Sequence, residues 1–376
     1  MQTREFWVRR QKFREIQAVT LDALPLTEGE IRVAIDKVAL TANNISYAVS
    51  GDSIGYWKYF PAQDGWGKIP AWGFAEVVES RCADVSVGER IWGFFPLASH
   101  LTLQPGNVTA GDFIDFAAHR KDLPALYNKY QRTAAEPAML QGMEDARCLF
   151  FPLFATSWIV YDYLVDNTMF GAEQVLIGSA SSKTGYGLAR MLHGDRTVAQ
   201  KVVGLTSAGN AAFVQSLACC DAVVPYDQIS SLDPSVKTAF VDMSGNSEIL
   251  AAVHRHFGDN IVASCKVGAT HWESVDLLDP FNSPQEQNLP GAKPRFFFAP
   301  AHFAKREREW GPGSVLFKAF GAAMQVVAAI GSKVDIQHIA GDEAIMAHYR
   351  ALLDNALGAN TGLMLDLQPP PSRAQA

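Results

Sequence analysis

The segment with the clearest chemical potential is residues 174–192, QVLIGSASSKTGYGLARML. Three apolar residues predict a short strand, small and hydroxylated residues follow, and an apolar helical pattern completes the segment. A strand, a tight turn and a helix in this order direct backbone N–H groups and the positive end of a helix toward one point, which is what a pyrophosphate site requires. Small residues are needed because the backbone must come close to the ligand, and the turn supplies Ser179, Ala180, Ser181, Ser182 and Gly185.

Hydroxyl groups replace two glycines of the usual dinucleotide-binding pattern, G-x-G-x-x-G. Lys183 and Thr184 lie inside the same turn, where a lysine would add positive charge near phosphate groups. The turn alone leaves two interpretations open. It is either a nucleotide site or an ordinary strand-to-helix connection, and in the second case Lys183 is solvated.

The end of the next predicted strand, residues 201–205, indicates which nucleotide would bind. An NAD site needs Asp or Glu at this point to accept hydrogen bonds from the ribose hydroxyls. The sequence instead continues with Thr206, Ser207 and Asn210. A carboxylate would repel a 2′-phosphate, whereas hydroxyl and amide groups donate hydrogen bonds to it, so the sequence favours NADP(H).

The composition is typical of a globular protein. With 376 residues, of which 48% are hydrophobic, the chain is long enough for two domains with ordinary cores. A net charge of −7 without a basic cluster argues against a nucleic-acid partner. No run of about 18 uninterrupted apolar residues predicts a membrane span, and the first residues lack the apolar core of a secretory signal, so we expect a cytoplasmic protein.

The five cysteines do not form a zinc-binding pattern. They are Cys82, Cys148, Cys219, Cys220 and Cys265, and none of them form a C-x-x-C pair. An odd number of cysteines in a long chain of this kind predicts reduced, mostly buried thiols and no metal site.

Two patterns of periodicity divide the chain. Alternating apolar residues in 30–42, with β signals at 74–78 and 89–95, predict a β-rich, barrel-like module in the first 100 residues. Residues 105–147 are mixed in polarity and predict a helical and irregular connection. From about residue 151, strands alternate with helices, which predicts a doubly wound parallel sheet.

Eight strands and six helices are predicted in this second part. Strands are predicted at 175–177, 201–205, 222–224, 238–241, 260–268, 296–299, 335–339 and 362–367. Helices are predicted at 156–166, 185–193, 210–217, 247–257, 314–330 and 342–355. Residues 279–295, with three prolines, predict a long loop, and the chain is expected to be disordered from about residue 368.

The order of these segments resembles the medium-chain dehydrogenase/reductase superfamily, and within it the zinc-free quinone oxidoreductases and enoyl-thioester reductases. The resemblance covers most of the chain and is closest to a divergent bacterial branch with an ASSKT turn. It is carried by GEIRVAIDKVALTANN at 29–44, AWGFAEVVES and SVGERIWGF within 71–94, FPLFATSWIVYDYLV at 151–165, the 175–192 segment, VVGLTSAGNAAFVQSLACCDAVVPYD at 202–227, DEAIMAHYRALLDN at 342–355 and GANTGLMLDL at 358–367.

The resemblance implies a Rossmann dinucleotide domain inserted in a GroES-like β domain. The domain bounds would be 1–148 and 301–376 for the β domain and 149–300 for the dinucleotide domain, with NADP(H) in the cleft between them. Further cofactor contacts are implied for Asn43 or Asn44, Thr156, Met243, Ser244, Gly245, Gly268, Phe298, Ala299 and, beside the 2′-phosphate, Tyr226. Tyr226 could instead simply end a strand. Similar proteins often dimerise through the edge of the dinucleotide domain, so a homodimer is expected.

The sequence departs from the zinc-dependent members of the superfamily. Trp72-Gly73-Phe74 occupies the place where those proteins carry Gly-His-Glu. Without imidazole or thiolate ligands the position cannot hold a catalytic zinc. We therefore expect metal-free hydride transfer to an activated C=C or C=O of a small-molecule substrate, an enone, quinone or enoyl thioester. The alternative is an NADP(H)-binding sensor or structural protein without turnover.

Such a reaction needs a proton donor. Residues 51–61, GDSIGYWKYFP, fall where enoyl-thioester reductases of this superfamily keep a proton-donating tyrosine. The resemblance thus implies Tyr56 or Tyr59 as the donor, with Lys58 lowering a phenol pKa by its charge. A packing role for this aromatic loop is the alternative. Tyr47 is a further candidate, although its pattern is more typical of a core aromatic.

Overall fold

The computed structural model describes residues 1–195, 197–198, 200–268 and 286–368. The chain forms two compact units. The first comprises Met1–Leu149, Ile336–Leu357 and Thr361–Ala376, and the second comprises Phe150–Asp335 and Gly358–Asn360. The first boundary lies one residue from the predicted division at 148.

The first unit consists mainly of antiparallel strands, whose alternating side chains are typical of half-buried sheet. Strand β1 lies between β2 and β4 in one sheet, and a larger sheet contains the order β3-β5-β6-β10-β9-β8, with β7 also paired to β3. The strands are β1 (Gln2–Arg9), β2 (Lys12–Asp22), β3 (Ile31–Leu40), β4 (Trp66–Gly67), β5 (Pro70–Ser80), β6 (Arg90–Pro96), β7 (His100–Leu103), β8 (Pro105–Gly106), β9 (Asp112–Asp115) and β10 (Lys129–Arg132).

Residues 105–147 differ from the prediction of a helical and irregular connection. Strands β8, β9 and β10 extend the larger sheet from β6, where Gln131 pairs with Trp92 and Arg132 with Ile91. The strands are only two to four residues long, so the segment contains no run of alternation long enough to reveal them.

A buried ion pair holds this segment against the aromatic loop. Arg120 lies 3.1 Å from Asp115, and both side chains are 1% exposed. The Arg120 guanidinium donates to the carbonyl oxygen of Tyr59 and to the hydroxyl of Tyr130, and it lies 4.7 Å from the centre of the Phe60 ring. The long segment is therefore a structural support for the loop.

Two helices precede the second sheet. Helix α1 (Ala42–Val49) follows β3 and was not predicted, because its asparagines break the apolar pattern. Helix α2 (Glu144–Asp166) starts twelve residues before the predicted 156–166 helix and runs from the first unit into the second.

The second unit has the predicted doubly wound parallel sheet. All pairings are parallel, in the order β13-β12-β11-β14-β15-β16, which is the Rossmann order. Every residue of the central strands β11 and β14 is buried, as expected for a sheet covered on both faces. Its strands are β11 (Gln174–Gly178), β12 (Lys201–Thr206), β13 (Ala222–Pro225), β14 (Thr238–Asp242), β15 (Ile261–Lys266) and β16 (Arg295–Phe296), and its helices are α3 (Lys183–Gly194), α4 (Ala211–Ser216), α5 (Ser247–Phe257), α6 (Ala299–Trp310) and α7 (Ser314–Ile330).

The predicted strand at 296–299 is wrong after its first residue. Strand β16 ends at Phe296, and helix α6 begins at Ala299 with a proline in its first turn, a common helix start. Val315 and Ala319 of α7 then pack in one apolar cluster with Trp158 of α2. The second unit therefore continues past the predicted end at 300.

The last elements return to the first unit as β17 (Asp335–Ala340), α8 (Asp342–Leu353) and β18 (Thr361–Asp366), and β18 pairs with β3. The Gln368 side chain donates to the carbonyl oxygens of Ile35 and Ser99, so the chain is still held at residue 368, where a disordered tail was predicted. The rest of that tail, 369–376, and residues 279–285 of the predicted loop lie outside the described residues.

Among the described residues, two helices are long and apolar enough to cross a membrane, Glu144–Asp166 and Ser314–Lys333. In the first, 67% of the most apolar window is buried, as in a core helix. In the second, the buried residues recur at three- and four-residue spacing along one face, as in a helix that covers a globular core. Length and composition therefore do not identify either helix as a membrane span.

Replacement of Arg120 by leucine should destabilise the protein by about 3–5 kcal/mol, because it leaves the Asp115 carboxylate buried without its cation. Urea denaturation followed by tryptophan fluorescence measures the loss. Arg14→Leu is the matched control, since Arg14 pairs with Asp354 at the surface and such pairs contribute about 1 kcal/mol or less. Equal losses in the two variants would contradict the structural role of Arg120.

Candidate functional site

The turn after β11 is closed by one serine side chain. Ser182 Oγ donates to the carbonyl oxygen of Ser179 (2.7 Å) and accepts from the backbone N–H of Gly185 (3.1 Å), as the N-cap of α3. A Cβ atom at residue 185 would lie 2.4 Å from that same Ser179 oxygen, so only glycine allows this approach. Gly185 therefore lets the first turn of α3 lie directly against the turn that follows β11.

Ser179 occupies a position that usually favours glycine. Its φ is +53°, in the left-handed region. Its backbone N–H donates to the hydroxyl of Tyr226 (3.0 Å). Tyr226, predicted beside a 2′-phosphate, thus lies beneath the turn, and burial raises the pKa of its phenol to about 12.

Ser181 connects the turn to the end of β12. Its Oγ accepts from Thr206 Oγ1 (3.1 Å) and from Asn210 Nδ2 (3.3 Å). A serine hydroxyl accepts two hydrogen bonds and donates one, so both acceptor positions are filled and the Ser181 proton points away from these two partners. Ser207, beside them, is exposed. The structure thus joins three of the residues predicted from the acid-free strand end and the serine-rich turn, Ser181, Thr206 and Asn210.

Lys183 is the first residue of α3, next to the backbone N–H groups that begin the helix. Burial lowers the pKa of its ammonium group to about 8. Loss of water favours the neutral amine, and a bound anion would favour the charged form instead. The lysine is therefore placed where its charge would respond to a phosphate.

A residue that sequence reasoning missed, Ser157, fixes the start of α3. Its buried Oγ donates to the carbonyl oxygen of Thr184 (2.8 Å), and a Cβ at Gly187 would lie 2.6 Å from it. Thr156, the predicted contact, donates instead to the carbonyl oxygen of Pro152 in its own helix. Ser157, and not the predicted Thr156, is therefore the residue of α2 that hydrogen-bonds to the start of α3.

A second turn follows β14, where sequence reasoning missed Asp242. Asp242 Oδ1 accepts from the N–H (2.8 Å) and hydroxyl (2.6 Å) of Ser244, and Oδ2 accepts from the N–H of Gly245 (3.1 Å). Burial raises the pKa of this carboxyl group. Gly268 closes the same region, since a Cβ there would lie 2.7 Å from the carbonyl oxygen of Met243. The predicted 243–245 segment is thus held by a buried acid.

In the first unit, the predicted proton donors lie in one aromatic cluster, which we call the tyrosine cluster. Its buried members are Tyr47, Tyr56, Tyr59, Phe60, Phe94 and Tyr127, and Ile54, Trp72, Leu101 and Leu123 form its half-buried rim. Tyr59 donates to the carbonyl oxygen of Pro124 (3.1 Å), and the hydroxyls of Tyr56 and Tyr127 share a hydrogen bond of 2.9 Å.

The predicted lowering of a phenol pKa by Lys58 is not found. The Lys58 side chain is exposed, and burial raises the pKa of both Tyr56 and Tyr59. The cation that acts on Tyr59 is the buried Arg120, which only partly opposes the effect of burial.

The two predicted asparagines have different roles. Asn44 is buried, and its amide oxygen accepts from Thr41 at the start of α1 while its nitrogen donates to the carbonyl oxygen of Pro70, so it is used by the fold. Asn43 donates to the hydroxyl of Tyr47 (2.7 Å) at the tyrosine cluster.

Gly73 occupies the strand position at which zinc-dependent enzymes carry a histidine, and this position has no room for a side chain. A Cβ at Gly73 would lie 2.2 Å from the carbonyl oxygen of Lys37. The adjacent Trp72 stacks on Trp92 at 4.7 Å, and its indole N–H donates to Tyr47 (3.2 Å). Within the described part of the chain, no group of three or more histidine, cysteine or acidic side chains could hold a metal ion.

A family model matches residues 38–358, which is most of the chain, and describes a protein of unknown function, DUF2855. The chain belongs to this family. No protein of curated function matches the sequence.

Solved structures match almost the whole chain at low identity. CurA from Vibrio vulnificus in complex with NADPH superposes with a TM-score of 0.61 at 10% identity, covering 98% of this chain and 100% of that one. A mutant enoyl thioester reductase from Candida tropicalis gives 0.54 at 9% (97% and 100% covered), and the quinone oxidoreductase from Coxiella burnetii gives 0.51 at 11% (98% and 100%). The predicted fold, a doubly wound parallel (Rossmann) sheet inserted in a β-rich GroES-like domain, is confirmed.

An alanine at position 185 should destabilise the protein by about 1–3 kcal/mol, because its Cβ must displace the Ser179 carbonyl or the Ser182 hydroxyl. Thermal denaturation checks this. Gly209→Ala is the control, since no atom lies within 4 Å of a Cβ there, and it should change stability by less than about 1 kcal/mol. A Gly185→Ala variant as stable as Gly209→Ala would show that the close approach is not required.

Proposed function

We propose that this protein is an NADPH-dependent, zinc-free oxidoreductase that transfers hydride to an activated C=C or C=O of a small-molecule substrate. It is proposed to act in the cytoplasm as a homodimer. The substrate classes that fit are enones, quinones and enoyl thioesters. When bound, NADPH supplies the hydride, and the chain must bind the phosphates, orient the nicotinamide half and supply a proton.

The donor arrangement around Ser181 carries the proposal. Thr206 and Asn210 fill the acceptor positions of the Ser181 oxygen, so its proton is available to a phosphate oxygen. The strand end carries no carboxylate to repel a 2′-phosphate, and Gly185 keeps the backbone close to the ligand. CurA, with a similar fold, is known with NADPH, which agrees with this assignment.

Further residues are proposed to complete the cofactor site. Ser179, Ser182, Lys183 and Thr184 would surround the phosphates, and Ser207 and Tyr226 would lie near the 2′-phosphate. Asn43, Thr156, Met243, Ser244, Gly245, Gly268, Phe298 and Ala299 are proposed near the nicotinamide. The proton is proposed to come from the tyrosine cluster. The lack of space at Gly73 and the indole of Trp72 support a reaction without zinc.

The second candidate is an NADP(H)-binding protein without turnover. The internal hydrogen bonds of the cluster favour it, since the Tyr59 proton is already used by the Pro124 carbonyl and only one of Tyr56 and Tyr127 keeps a proton to donate. NADPH oxidation followed by absorbance against a panel of quinones, enones, aldehydes and enoyl thioesters separates the two. Binding of NADPH with no oxidation by any acceptor would support the sensor.

NADPH should raise the melting temperature more than NADH at the same concentration, because only the first offers a 2′-phosphate to the donors around Ser181. Asn210→Asp should reverse this order, since it removes a donor and adds a repelling carboxylate. Gln215→Glu, which adds the same charge at an exposed position on α4, should keep the wild-type order. If neither nucleotide shifts the melting temperature of the wild type, the proposed function fails.

NADPH affinity should fall as the pH rises above 8. The pKa of Lys183 is about 8 in the free protein, so above this pH the amine is neutral and must take up a proton to pair with a phosphate. The dissociation constant should be nearly constant from pH 7 to 8 and then rise, by at most about tenfold per pH unit. Fluorescence titration measures it. Lys183→Arg should remove the dependence, and an unchanged slope in that variant would exclude Lys183.

A further inference from the structure

We propose that Tyr47, rather than Tyr56 or Tyr59, donates the proton to the reduced substrate, and that Asn43 and Trp72 position its hydroxyl. This inference rests on the proposed reductase function and names the acid of that reaction. Its basis is the hydrogen bonding of the four phenols in the tyrosine cluster.

Three of the four phenols are engaged with each other or with the backbone. The Tyr59 proton goes to the carbonyl oxygen of Pro124. Tyr56 and Tyr127 are both buried, and one of them uses its proton in the hydrogen bond that joins them. Tyr59 therefore cannot donate to a ligand without first breaking a bond inside the fold, and Tyr56 and Tyr127 have at most one proton to offer between them.

Tyr47 has the opposite arrangement. Its oxygen accepts from Asn43 Nδ2 (2.7 Å) and from Trp72 Nε1 (3.2 Å), and no residue in the described ranges accepts its proton. The two donors come from different elements, α1 and β5, so the oxygen is fixed from two sides. The phenol proton is left for an acceptor that the described residues do not provide.

Asn43 and Trp72 also stabilise the phenolate that Tyr47 becomes after it has given up its proton. Burial raises the pKa of Tyr47 well above 10, so the phenol is protonated at neutral pH, and the hydrogen bonds from Trp72 and Asn43 act in the opposite direction because they stabilise the phenolate. Donors that hold a developing negative charge are the usual means of assisting such a step. Asn43 and Trp72 are both only half-buried, so this side of Tyr47 lies at the rim of the cluster.

Reduction of the substrate requires one hydride and one proton. Hydride from NADPH adds to the electrophilic carbon of the C=C or C=O, and the resulting enolate or alkoxide takes the proton of the Tyr47 O–H. The phenol O–H bond breaks, a C–H or O–H bond forms on the product, and the phenolate regains its proton from water. Substrate, NADPH and one proton give reduced product and NADP⁺.

Kinetics of phenylalanine variants test the assignment. Tyr47→Phe should lower kcat roughly 10²- to 10⁴-fold with KM within a few-fold, since general acid catalysis contributes about that much. Tyr56→Phe and Tyr59→Phe keep the same ring packing and should lose at least tenfold less. Trp72→Phe removes only one of the two donors to Tyr47, so its loss of kcat should lie between that of Tyr47→Phe and those of Tyr56→Phe and Tyr59→Phe. It also tests the assignment if Tyr47→Phe does not fold. A Tyr47→Phe loss no larger than that of Tyr56→Phe would overturn the proposal.

A measurement without turnover separates this proposal from the reductase function. Carbonyl-¹³C cinnamaldehyde is added with NADP⁺, which cannot reduce it, and its C=O stretch is recorded by difference infrared spectroscopy. A hydrogen bond from Tyr47 should lower the frequency in the wild type, in Tyr56→Phe and in Tyr59→Phe but not in Tyr47→Phe. An unshifted or absent bound band in the wild type, or the same shift in Tyr47→Phe, contradicts the role of Tyr47. NADPH binding without oxidation of any acceptor would refute the reductase and with it the proton transfer, whereas the infrared shift tests the Tyr47 hydrogen bond whether or not turnover occurs.

Discussion

The second unit depends on how closely α3 can approach the turn after β11. Ser182 holds both sides of that turn, by donating to the Ser179 carbonyl and accepting from the Gly185 N–H, and this is possible only because residue 185 has no side chain. Once the turn is closed, Ser179 is driven into a left-handed backbone conformation and its N–H meets Tyr226. The positions of the other serines follow from the same closure, since only then does Ser181 reach the end of β12.

Replacing glycine by serine in such a turn has a cost and a gain. A left-handed serine costs on the order of 1–3 kcal/mol, which a glycine at the same place would avoid. The gain comes from Ser181 and Ser182, whose hydroxyls make four hydrogen bonds, with Ser179, with Gly185 at the start of α3, with Thr206 of β12 and with Asn210. These bonds fix the direction of each hydroxyl, which a glycine turn cannot do. A phosphate site built this way therefore offers oriented side-chain donors in addition to backbone N–H groups.

Much of the fold followed from periodicity, and the failures have physical causes. Helix α5 begins and ends as predicted because the Asn246 side chain caps its first turn and Gly258, with φ of +55°, ends it. The parallel sheet followed from buried strands alternating with helices. The short strands β8–β10 were missed because two to four residues carry no period, and α6 was missed because the aromatic run before it resembles a strand. In both cases pairing and packing, which the local pattern does not contain, decided the structure.

The site was predictable where it depends on backbone and hidden where it depends on partners distant in sequence. Gly185 and the acid-free strand end could be recognised locally, since their function lies in their own size or charge. Ser157, Asp242 and Arg120 could not, because each is a buried polar residue whose importance comes from a group that folding brings to it. The same holds for Tyr47. In the sequence it is one of several tyrosines, and it differs from the others only after its two donors, from α1 and β5, are counted. Counting which protons the fold has already used is what distinguishes an aromatic residue that packs from one that can react.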